Sequence, residues 1–421
     1  MRFLLILTLV SAPLTAADEA RLALDLKAQA EFDRVDLSGV ARLEDAGQCV
    51  QSQAAALAVA APSDAALLHY RKGFCLLAEA ATTQRTSDYS AAAGELGKAI
   101  EAWPARARKG IVEPVSPGLR VLAAIARLEA APDAAGLERA QNELASATGA
   151  PVCEADVMPA AFCQEVVGKG RDWLGWMALK NGDLREAARD FAGSPGAWAD
   201  WVDGRQAFAG SRYRVAADRY QAAVGLWESE RRESPPNTLQ SFAPRPDWAG
   251  TLADLGGAQL LAGEHRAAIA SLDRAAREDP SRARPLYLRA LAKEATGDEA
   301  GALSDYNLAS RTAFASAQDL ASGEAHLYRG ILLYRRKEWS RAEEEFSSAL
   351  NFAIPVALQP DAEAWRHLAA VAGGSCQASV NYLERSLESV SPYFPKAEAR
   401  AMAGSCTARG RTASDGGSPA N

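Results

Sequence analysis

Residues that build sheets are scarce in this sequence, and residues that build helices are common. Aromatic residues make up 7% of the 421 positions. No stretch alternates Val, Ile or Thr with polar residues, as a half-buried strand does. Alanine is abundant, and it is the strongest helix former because its side chain loses no rotamer entropy in a helix. The composition therefore predicts an all-α chain and argues against sheet-based folds.

The chain also lacks an apolar run of the roughly 20 residues that a membrane-spanning helix needs. Its apolar run at residues 3–10 follows Arg2 and precedes small residues up to Ala17, a pattern typical of a secretory signal peptide. We expect cleavage after Ala17, with Ala16 as the alternative, and a periplasmic or secreted mature protein. The competing interpretation is a buried N-terminal helix.

Motifs that carry catalysis are absent as well. The sequence has no zinc-protease, P-loop, nucleophile-elbow or dinucleotide-binding glycine pattern, and its four histidines are scattered. Glu343, Glu344 and Glu345 occupy consecutive helix positions, which splay around the axis, so a solvated face is favoured over an acid–base pair. The formal net charge of −7 offers no attraction to nucleic acid or to an anionic membrane. We expect no catalysis, no metal and no cofactor.

The six cysteines favour disulfides over metal binding, because their number is even, the chain carries an export signal and no Cys-x-x-Cys occurs. Three local pairs suit the helix pattern. The first lies symmetrically about a turn at residues 61–63, the second closes a short Pro-containing loop, and the third flanks a break at residues 391–392. These pairs are Cys49 with Cys75, Cys153 with Cys163, and Cys376 with Cys406.

A repeat of 34 residues runs through the middle of the chain. Small residues fall on small ones and large on large when the series Gly256, Ala268, Leu272, Ala275 is compared with the series Ala290, Ala302, Tyr306, Ala309. Further copies centre on Gly175, Gly204 and Gly330, and degenerate copies surround Gly73 and Trp365. The pattern resembles the tetratricopeptide repeat (TPR) in its period and in the residue class at each position.

The resemblance implies an all-α, right-handed superhelical solenoid of antiparallel helix pairs, with helices A and B in each repeat and a concave groove. The small residue at position eight of helix A, such as Gly256, should leave room for helix B. Ala268, which opens helix B, should fit against its own helix A, and the large residue four positions later should fill the gap to the next repeat. Gly297-Asp298 should end one helix and begin the next.

The domain organisation follows from where the repeat is strong, weak or interrupted. A loop near residues 82–87 is expected to be about seven residues longer than usual. The Pro- and Ser-rich insertion is interpreted as an exposed loop or a joint between two subarrays, with a passive position on the outer rim favoured over a binding loop. The predicted segments are a signal peptide (1–17), an N-terminal region of degenerate repeats (18–150), TPR-like repeats (151–230), the insertion (231–248), TPR-like repeats with a capping helix (249–407) and a disordered tail (408–421).

Ligand contacts in TPR domains come mostly from helix A, and aromatic residues beside Arg or Lys are the composition of protein-binding hot spots. Core packing is the competing interpretation for each Trp and Tyr. Gly250, Ala253, Asp254 and Gly257 depart from the Lys, Arg and Asn clamp that holds a C-terminal carboxylate in some TPR domains. The groove residues that the resemblance implies are Lys169, Trp173, Trp176, Lys180, Trp201, Arg205, Phe208, Arg284, Tyr287, Tyr328, Tyr334 and Arg335.

The resulting functional hypothesis is an exported scaffold that binds proteins in the bacterial cell envelope. The alternative is an accessory protein of envelope polysaccharide synthesis or export, in which exposed tryptophans contact a glycan. A helical-solenoid transglycosylase would need a separate catalytic domain, for which the chain has no room. Self-association through the weak terminal repeats stays open.

Overall fold

The structure is a computed structural model that describes the chain in a set of separate ranges. The residues that it describes are 16–37, 43–103, 106–108, 111–113, 115–130, 133–149, 153, 158–192, 196–232, 243–315, 321–352, 354–391 and 394–414.

The contacts within the chain define two compact units. Unit 1 comprises Met1–Arg205 and Ala222–Arg245, and unit 2 comprises Gln206–Gln221 and Pro246–Asn421. The helices from the first to the tenth are α1 (Ala16–Leu37), α2 (Leu43–Leu57), α3 (Pro62–Thr83), α4 (Thr86–Ala102), α5 (Pro117–Glu129), α6 (Ala134–Gly149), α7 (Ala160–Lys180), α8 (Leu184–Phe191), α9 (Ala197–Ala209) and α10 (Tyr213–Arg232).

The helices that follow belong to unit 2, as does a short 3₁₀ turn at Val356–Leu358 before α17. They are α11 (Trp248–Leu261), α12 (His265–Glu278), α13 (Ala283–Ala295), α14 (Glu299–Ala315), α15 (Ala321–Arg335), α16 (Trp339–Asn351), α17 (Gln359–Ala372), α18 (Cys376–Ser386) and α19 (Lys396–Ser414).

The predicted all-α, TPR-like arrangement of helix pairs is confirmed. The pairs α11/α12, α13/α14 and α15/α16 pack closely, and each is joined by a turn so short that the second helix must run back along the first. One feature was not expected: β1 (Arg106–Arg108) and β2 (Ile111–Glu113) form a small antiparallel ribbon between α4 and α5. Two β-branched residues, Ile111 and Val112, favour extended backbone there. No helix in the described ranges is long and apolar enough to span a bilayer.

The turn between helices A and B has the same backbone form in several repeats. Gly182, Gly263 and Gly297 have φ between 80° and 85°, the left-handed region in which a side chain is strained. The next residue then donates its N–H to a carbonyl five residues back, as Asp298 does to Lys293 at 2.9 Å. Asp298 also accepts from the Gly301 N–H at 2.9 Å, which caps helix B. The predicted Gly–Asp turn is therefore confirmed.

Lys337 adopts this left-handed conformation without being glycine, with φ of 63°. We expect Lys337→Gly to raise the free energy of unfolding by about 1 kcal/mol, because the contact of Cβ with the backbone is removed. Chemical denaturation of both proteins measures the effect. Lys337→Ala keeps Cβ and should show no such gain; an equal gain in both variants would assign the effect to the lysine side chain instead.

The glycine at position eight leaves room for the large residue of its own helix B. A Cβ on Gly256 would lie 2.4 Å from Leu272 Cγ, and a Cβ on Gly330 would lie 2.6 Å from Phe346 Cε1. Gly73 and Gly175 stand in the same relation to Leu96 and Phe191. The predicted contact of the large residue with the next repeat is present as well, since Phe346 stacks on Trp365 of α17 with 5.9 Å between ring centroids. The contact with its own helix A is an addition: with no side chain on the glycine, helix B comes near enough for the large side chain to reach the helix A backbone.

Gly256 and Gly257 are neighbours in α11 with opposite environments, which gives a matched pair of substitutions. We expect Gly256→Ala to lower the free energy of unfolding by about 1.5 kcal/mol, because Leu272 must move. A Cβ on Gly257 would lie 3.7 Å from Leu288 Cδ1, an ordinary contact, so Gly257→Ala should be neutral or stabilising by up to about 1 kcal/mol through helix propensity. Urea denaturation of both variants measures the difference, and equal stabilities would contradict the steric account.

Three predicted boundaries shift in the structure. The extra residues near 82–87 lengthen helix α3 to Thr83 rather than the loop, because the apolar face continues through Leu77 and Ala80. Helix α10 continues to Arg232, inside the predicted insertion, and α19 continues to Ser414, beyond the expected start of the disordered tail at Ala408. Alanine and arginine are good helix formers and sustain that last extension. Residues 1–15, 233–242 and 415–421 lie outside the described ranges, so the signal peptide stays a prediction.

The described end of the insertion is attached to unit 1 rather than free. Trp198 Nε1 donates to the Pro244 carbonyl at 3.2 Å, and Arg245 donates to the Ala81 carbonyl at 3.2 Å. The positive charge of Arg245 also acts on Glu129, whose pKa is raised by burial and lowered by this arginine, with a net rise. Residues 244 and 245 are therefore part of the unit 1 surface.

Two predicted disulfides are present. Cys49 and Cys75 join α2 to α3 with their Cα atoms 6.0 Å apart, and Cys153 is bonded to Cys163 at the start of α7, with 5.7 Å between the Cα atoms. Cys406 is disulfide-bonded. The side chain of Cys376 lies outside the described ones, so its pairing stays a prediction.

Candidate functional site

The first predicted groove residues lie on α7 in unit 1. Trp173 is buried, at 5% exposure, and its ring meets that of half-buried Trp176 edge-on at 5.3 Å between centroids. Lys180 is exposed, and its Nζ lies 4.9 Å from the centre of the Trp176 ring. Lys169 forms an ion pair at 3.4 Å with buried Asp172. Trp176 and Lys180 are thus the surface residues of this set, while Trp173 is core.

A second cation over an indole ring lies on α9. The Arg205 guanidinium carbon is 5.2 Å from the centre of the Trp201 ring, and Arg205 is exposed while Trp201 is half-buried. Trp201 meets Trp198 edge-on at 6.0 Å. We call Trp176, Lys180, Trp201 and Arg205 the tryptophan face of unit 1.

Trp198 was not among the predicted groove residues, although it anchors this face. It stacks on Phe191 at 5.6 Å and 8° between planes, and it meets Trp227 edge-on at 5.1 Å. Phe191 in turn fills the space beside Gly175. The sequence signal was the Trp-x-x-Trp spacing of residues 198 and 201, which places both rings near one side of a helix.

Unit 2 brings together a different set of predicted residues. Tyr287 on α13 and Tyr328 on α15 stack with 6.3 Å between centroids and 11° between planes. Burial and the nearby Glu324 carboxylate raise the pKa of both phenols, so each stays neutral at physiological pH. Arg284 forms an ion pair at 2.8 Å with Asp254 on α11. Burial opposes the charge on Arg284, yet Asp254 outweighs it and raises the pKa of the guanidinium.

Three predicted residues have structural partners within unit 2. Tyr334 is buried at 8% exposure, and its hydroxyl donates to Glu398 on α19 at 2.9 Å. Arg335 forms an ion pair with Glu294, which also accepts from the Tyr306 hydroxyl at 3.2 Å. The ring of half-buried Phe208 meets that of Tyr213 edge-on at 5.4 Å beside the turn between α9 and α10. Tyr334 therefore belongs to the packing beneath α19 and is a poor candidate for ligand contact.

The titratable clusters of the described residues serve packing between helices. Glu345 was expected on a solvated face, but its carboxylate lies 2.8 Å from His326 Nδ1 and 3.2 Å from Arg329 on the preceding helix α15. It turns inward because Arg329 supplies an opposite charge and His326 a hydrogen-bond partner. No group of three or more His, Cys, Asp or Glu within the described ranges is arranged to hold a metal ion.

Comparisons with known proteins add the following similarities. A family model described as the bacterial transcriptional activator domain matches residues 198–316, less than half of the chain. No curated protein matches the sequence. The MamA protein shares 16% identity, with 46% of this chain and 91% of MamA covered and a TM-score of 0.34. A tetratricopeptide repeat protein from Parabacteroides merdae shares 12%, with 65% and 94% covered and a TM-score of 0.38. Yeast Tom70 shares 10%, with 93% and 89% covered and a TM-score of 0.38.

The fold is TPR-like. Because these TM-scores are below 0.5, that statement rests on the helix pairs, the left-handed turns and the glycine contacts of the chain itself. A scaffold for interactions between proteins is the function that such a fold suggests.

Proposed function

We propose that this chain is a non-catalytic scaffold, exported to the bacterial cell envelope, that binds partner proteins on the A-helix faces of its TPR-like pairs. A fold alone does not establish a function, so the proposal depends on a site. The observation that carries it is the tryptophan face, where exposed Lys180 and Arg205 lie over half-buried indole rings. Trp and Arg are the residue types most enriched in hot spots of protein interfaces.

The disulfides support export. Disulfides persist in oxidising compartments such as the periplasm and are rare in the cytosol. Cys49–Cys75 and Cys153–Cys163 would be stable there. Intact-mass measurement on protein from the envelope fraction should give a chain that begins at Asp18 with its cysteines oxidised. Full-length chain in the cytosolic fraction would contradict the export proposal.

Affinity capture from the native envelope fraction, followed by mass spectrometry, tests the binding proposal. The baits are the wild type, a variant with Trp176, Arg205 and Tyr328 changed to Ala, and a control with exposed Arg185, Arg266 and Glu344 on second helices changed to Ala. We expect a protein captured by wild type and control but lost from the first variant. Equal capture by all three would move the site away from the A helices.

The glycan alternative is tested on the same three baits with the envelope polysaccharide fraction. A cation lies over both Trp176 and Trp201, and sugar stacking would have to use the other face of each ring or displace that cation. We therefore expect no polysaccharide retention that depends on these residues. Retention lost with the Trp176 variant would favour the glycan function over the scaffold.

A further inference from the structure

The two disulfides of unit 1 differ in how far the fold shields them from solvent. Cys49 and Cys75 are both 0% exposed and belong to the hydrophobic core of the unit. Cys163 is buried to the same degree, but its partner Cys153 is only half-buried and packs against that core. Thiol–disulfide exchange requires a thiolate to reach one of the bonded cysteines, so burial of both blocks it. The Cys153–Cys163 bond is therefore the more accessible of the two.

The two bonds also differ in where their cysteines lie along the helices. Cys163 lies in the first turn of α7, which begins at Ala160, and its N–H donates to the Pro159 carbonyl at 2.9 Å. The N-terminus of a helix carries a partial positive charge, which stabilises a thiolate in the first turn. Cys49 and Cys75 lie inside α2 and α3, more than one turn from either end, and have no such stabilisation.

A buried hydroxyl adds to the stabilisation of a thiolate on Cys163. Ser116 Oγ lies 4.0 Å from Cys163 Sγ, and Ser116 is 7% exposed, so its position is fixed by packing. A thiolate carries no proton, so the hydroxyl would donate to it. In thiol–disulfide exchange, the sulfur whose thiolate is better stabilised leaves faster. An incoming thiolate is therefore expected to attack Cys153 and displace Cys163.

The same bond helps to hold a buried methionine. Met158 lies halfway between the two cysteines in sequence and is 4% exposed. A Cβ on Gly118 of α5 would lie 2.6 Å from Met158 Sδ and 3.4 Å from Cys163 Sγ, so both sulfur atoms fill the space beside this glycine. If the bond opened, Met158 would still be joined to α7 through Pro159, but its link through Cys153 to the core would be lost.

We propose that Cys153–Cys163 is a regulatory disulfide, opened and closed by a dithiol oxidoreductase, and that its opening exposes Met158. The first thiolate of the oxidoreductase attacks Cys153 Sγ and forms a mixed disulfide, while Cys163 leaves as a thiolate and takes a proton from water. The second thiol of the oxidoreductase loses its proton, attacks the mixed disulfide and releases Cys153 as a thiolate, which is then protonated. The chain gains two electrons and two protons, and the dithiol becomes a disulfide. This regulation goes beyond the proposed scaffold function and does not depend on it.

Partial reduction of the full chain tests the selectivity. Native protein is treated with dithiothreitol, and samples are quenched in acid, unfolded, labelled with N-ethylmaleimide and mapped by peptide mass. We expect Cys153 and Cys163 to be labelled at least about tenfold faster than Cys49 and Cys75. In the control, reduction in urea above the unfolding transition, the rates should agree within about threefold because burial and helices are lost. Equal labelling in the native protein, or earlier labelling of Cys49 and Cys75, would overturn the proposal.

Glutathione tests the direction of attack. Because it has only one thiol, it cannot resolve its own mixed disulfide, which can be trapped by acid after a brief exposure. We expect glutathione on Cys153 and a free thiol at Cys163. Glutathione mainly on Cys163 would show that the other sulfur leaves, and it would overturn the mechanism.

The variant Cys153→Ser tests the exposure of Met158, because it removes the bond and keeps the Cys163 sulfur in place. Dilute hydrogen peroxide converts accessible methionine to its sulfoxide. We expect Met158 to be oxidised about tenfold faster than in wild type. Met177 of α7, also 4% exposed, is the internal control and should stay as slow as in wild type.

Two outcomes of the peroxide experiment would contradict the proposal. Unchanged oxidation of Met158 would mean that the disulfide does not hold it. Equal acceleration at Met158 and Met177 would mean that α7 loses its packing as a whole. The affinity capture described above uses the oxidised chain and different residues, so a failure of the scaffold function is distinguishable from a failure of the regulatory disulfide.

Discussion

Replacing Arg289 with methionine should lower the free energy of unfolding by about 3 kcal/mol, a large effect for one side chain. Arg289 on α13 forms two hydrogen bonds to buried Asp305 on α14, at 2.7 and 2.6 Å, and a third to Asp273 on α12, at 2.6 Å. The bonds to Asp305 raise the pKa of Arg289 against the opposing effect of burial. One guanidinium thus ties three successive helices together.

The cost arises because Asp305 stays behind. Its side chain is 5% exposed and would keep only the ion pair with Lys293 Nζ, at 2.8 Å, to balance its charge in a poorly hydrated place. Adding Asp305→Asn to Arg289→Met should therefore recover part of the loss, since it removes the stranded charge.

Urea denaturation of the single and double variants at neutral pH measures both effects. Arg277→Met on α12 is the matched control, because Arg277 is exposed, and it should change the stability by no more than about 0.5 kcal/mol. If Arg289→Met lowered the free energy of unfolding no more than the control does, the network that joins the three helices would contribute little to the stability of unit 2.

The repeat frame was predictable from sequence because it is a steric rule with a fixed period. Gly256 and Gly330 must be small since a large side chain of helix B occupies the space beside them. The turn glycines were predictable for a similar local reason, a positive φ. Lys337 shows the limit of that rule, because it adopts the same left-handed conformation although it is not a glycine.

The candidate site was less predictable, because its residues depend on contacts between distant parts of the chain. Tyr334 has the position of a groove residue, but α19, some 64 residues later, supplies Glu398 and covers it. Lys169 forms an ion pair with Asp172 within its own helix and is therefore less available to a ligand. Repeat position indicates which way a side chain points, while the packing of later helices decides whether it stays exposed.

Glu95 on α4 makes the stability of unit 1 depend on pH. The residue is 8% exposed, and its carboxylate lies 2.7 Å from His69 Nδ1, 3.2 Å from Lys72 Nζ and 2.9 Å from Lys98 Nζ. Burial disfavours the charged form, but these hydrogen bonds outweigh it and hold the pKa of Glu95 at about 2, below the ordinary 4.5. Because the folded-state pKa is the lower one, the stabilisation is complete above about pH 4.5 and is lost as the pH falls toward 2.

We expect Glu95→Gln to lower the free energy of unfolding by about 2 kcal/mol at pH 7, and by clearly less at pH 3, where the wild type has already lost part of the same stabilisation. Urea midpoints of both proteins at the two pH values measure this. Glu138→Gln, at an exposed position of α6, should change neither value. If the difference in free energy of unfolding between wild type and Glu95→Gln stayed constant from pH 7 to pH 3, shape and hydrogen bonding, rather than the charge of Glu95, would hold α3 against α4.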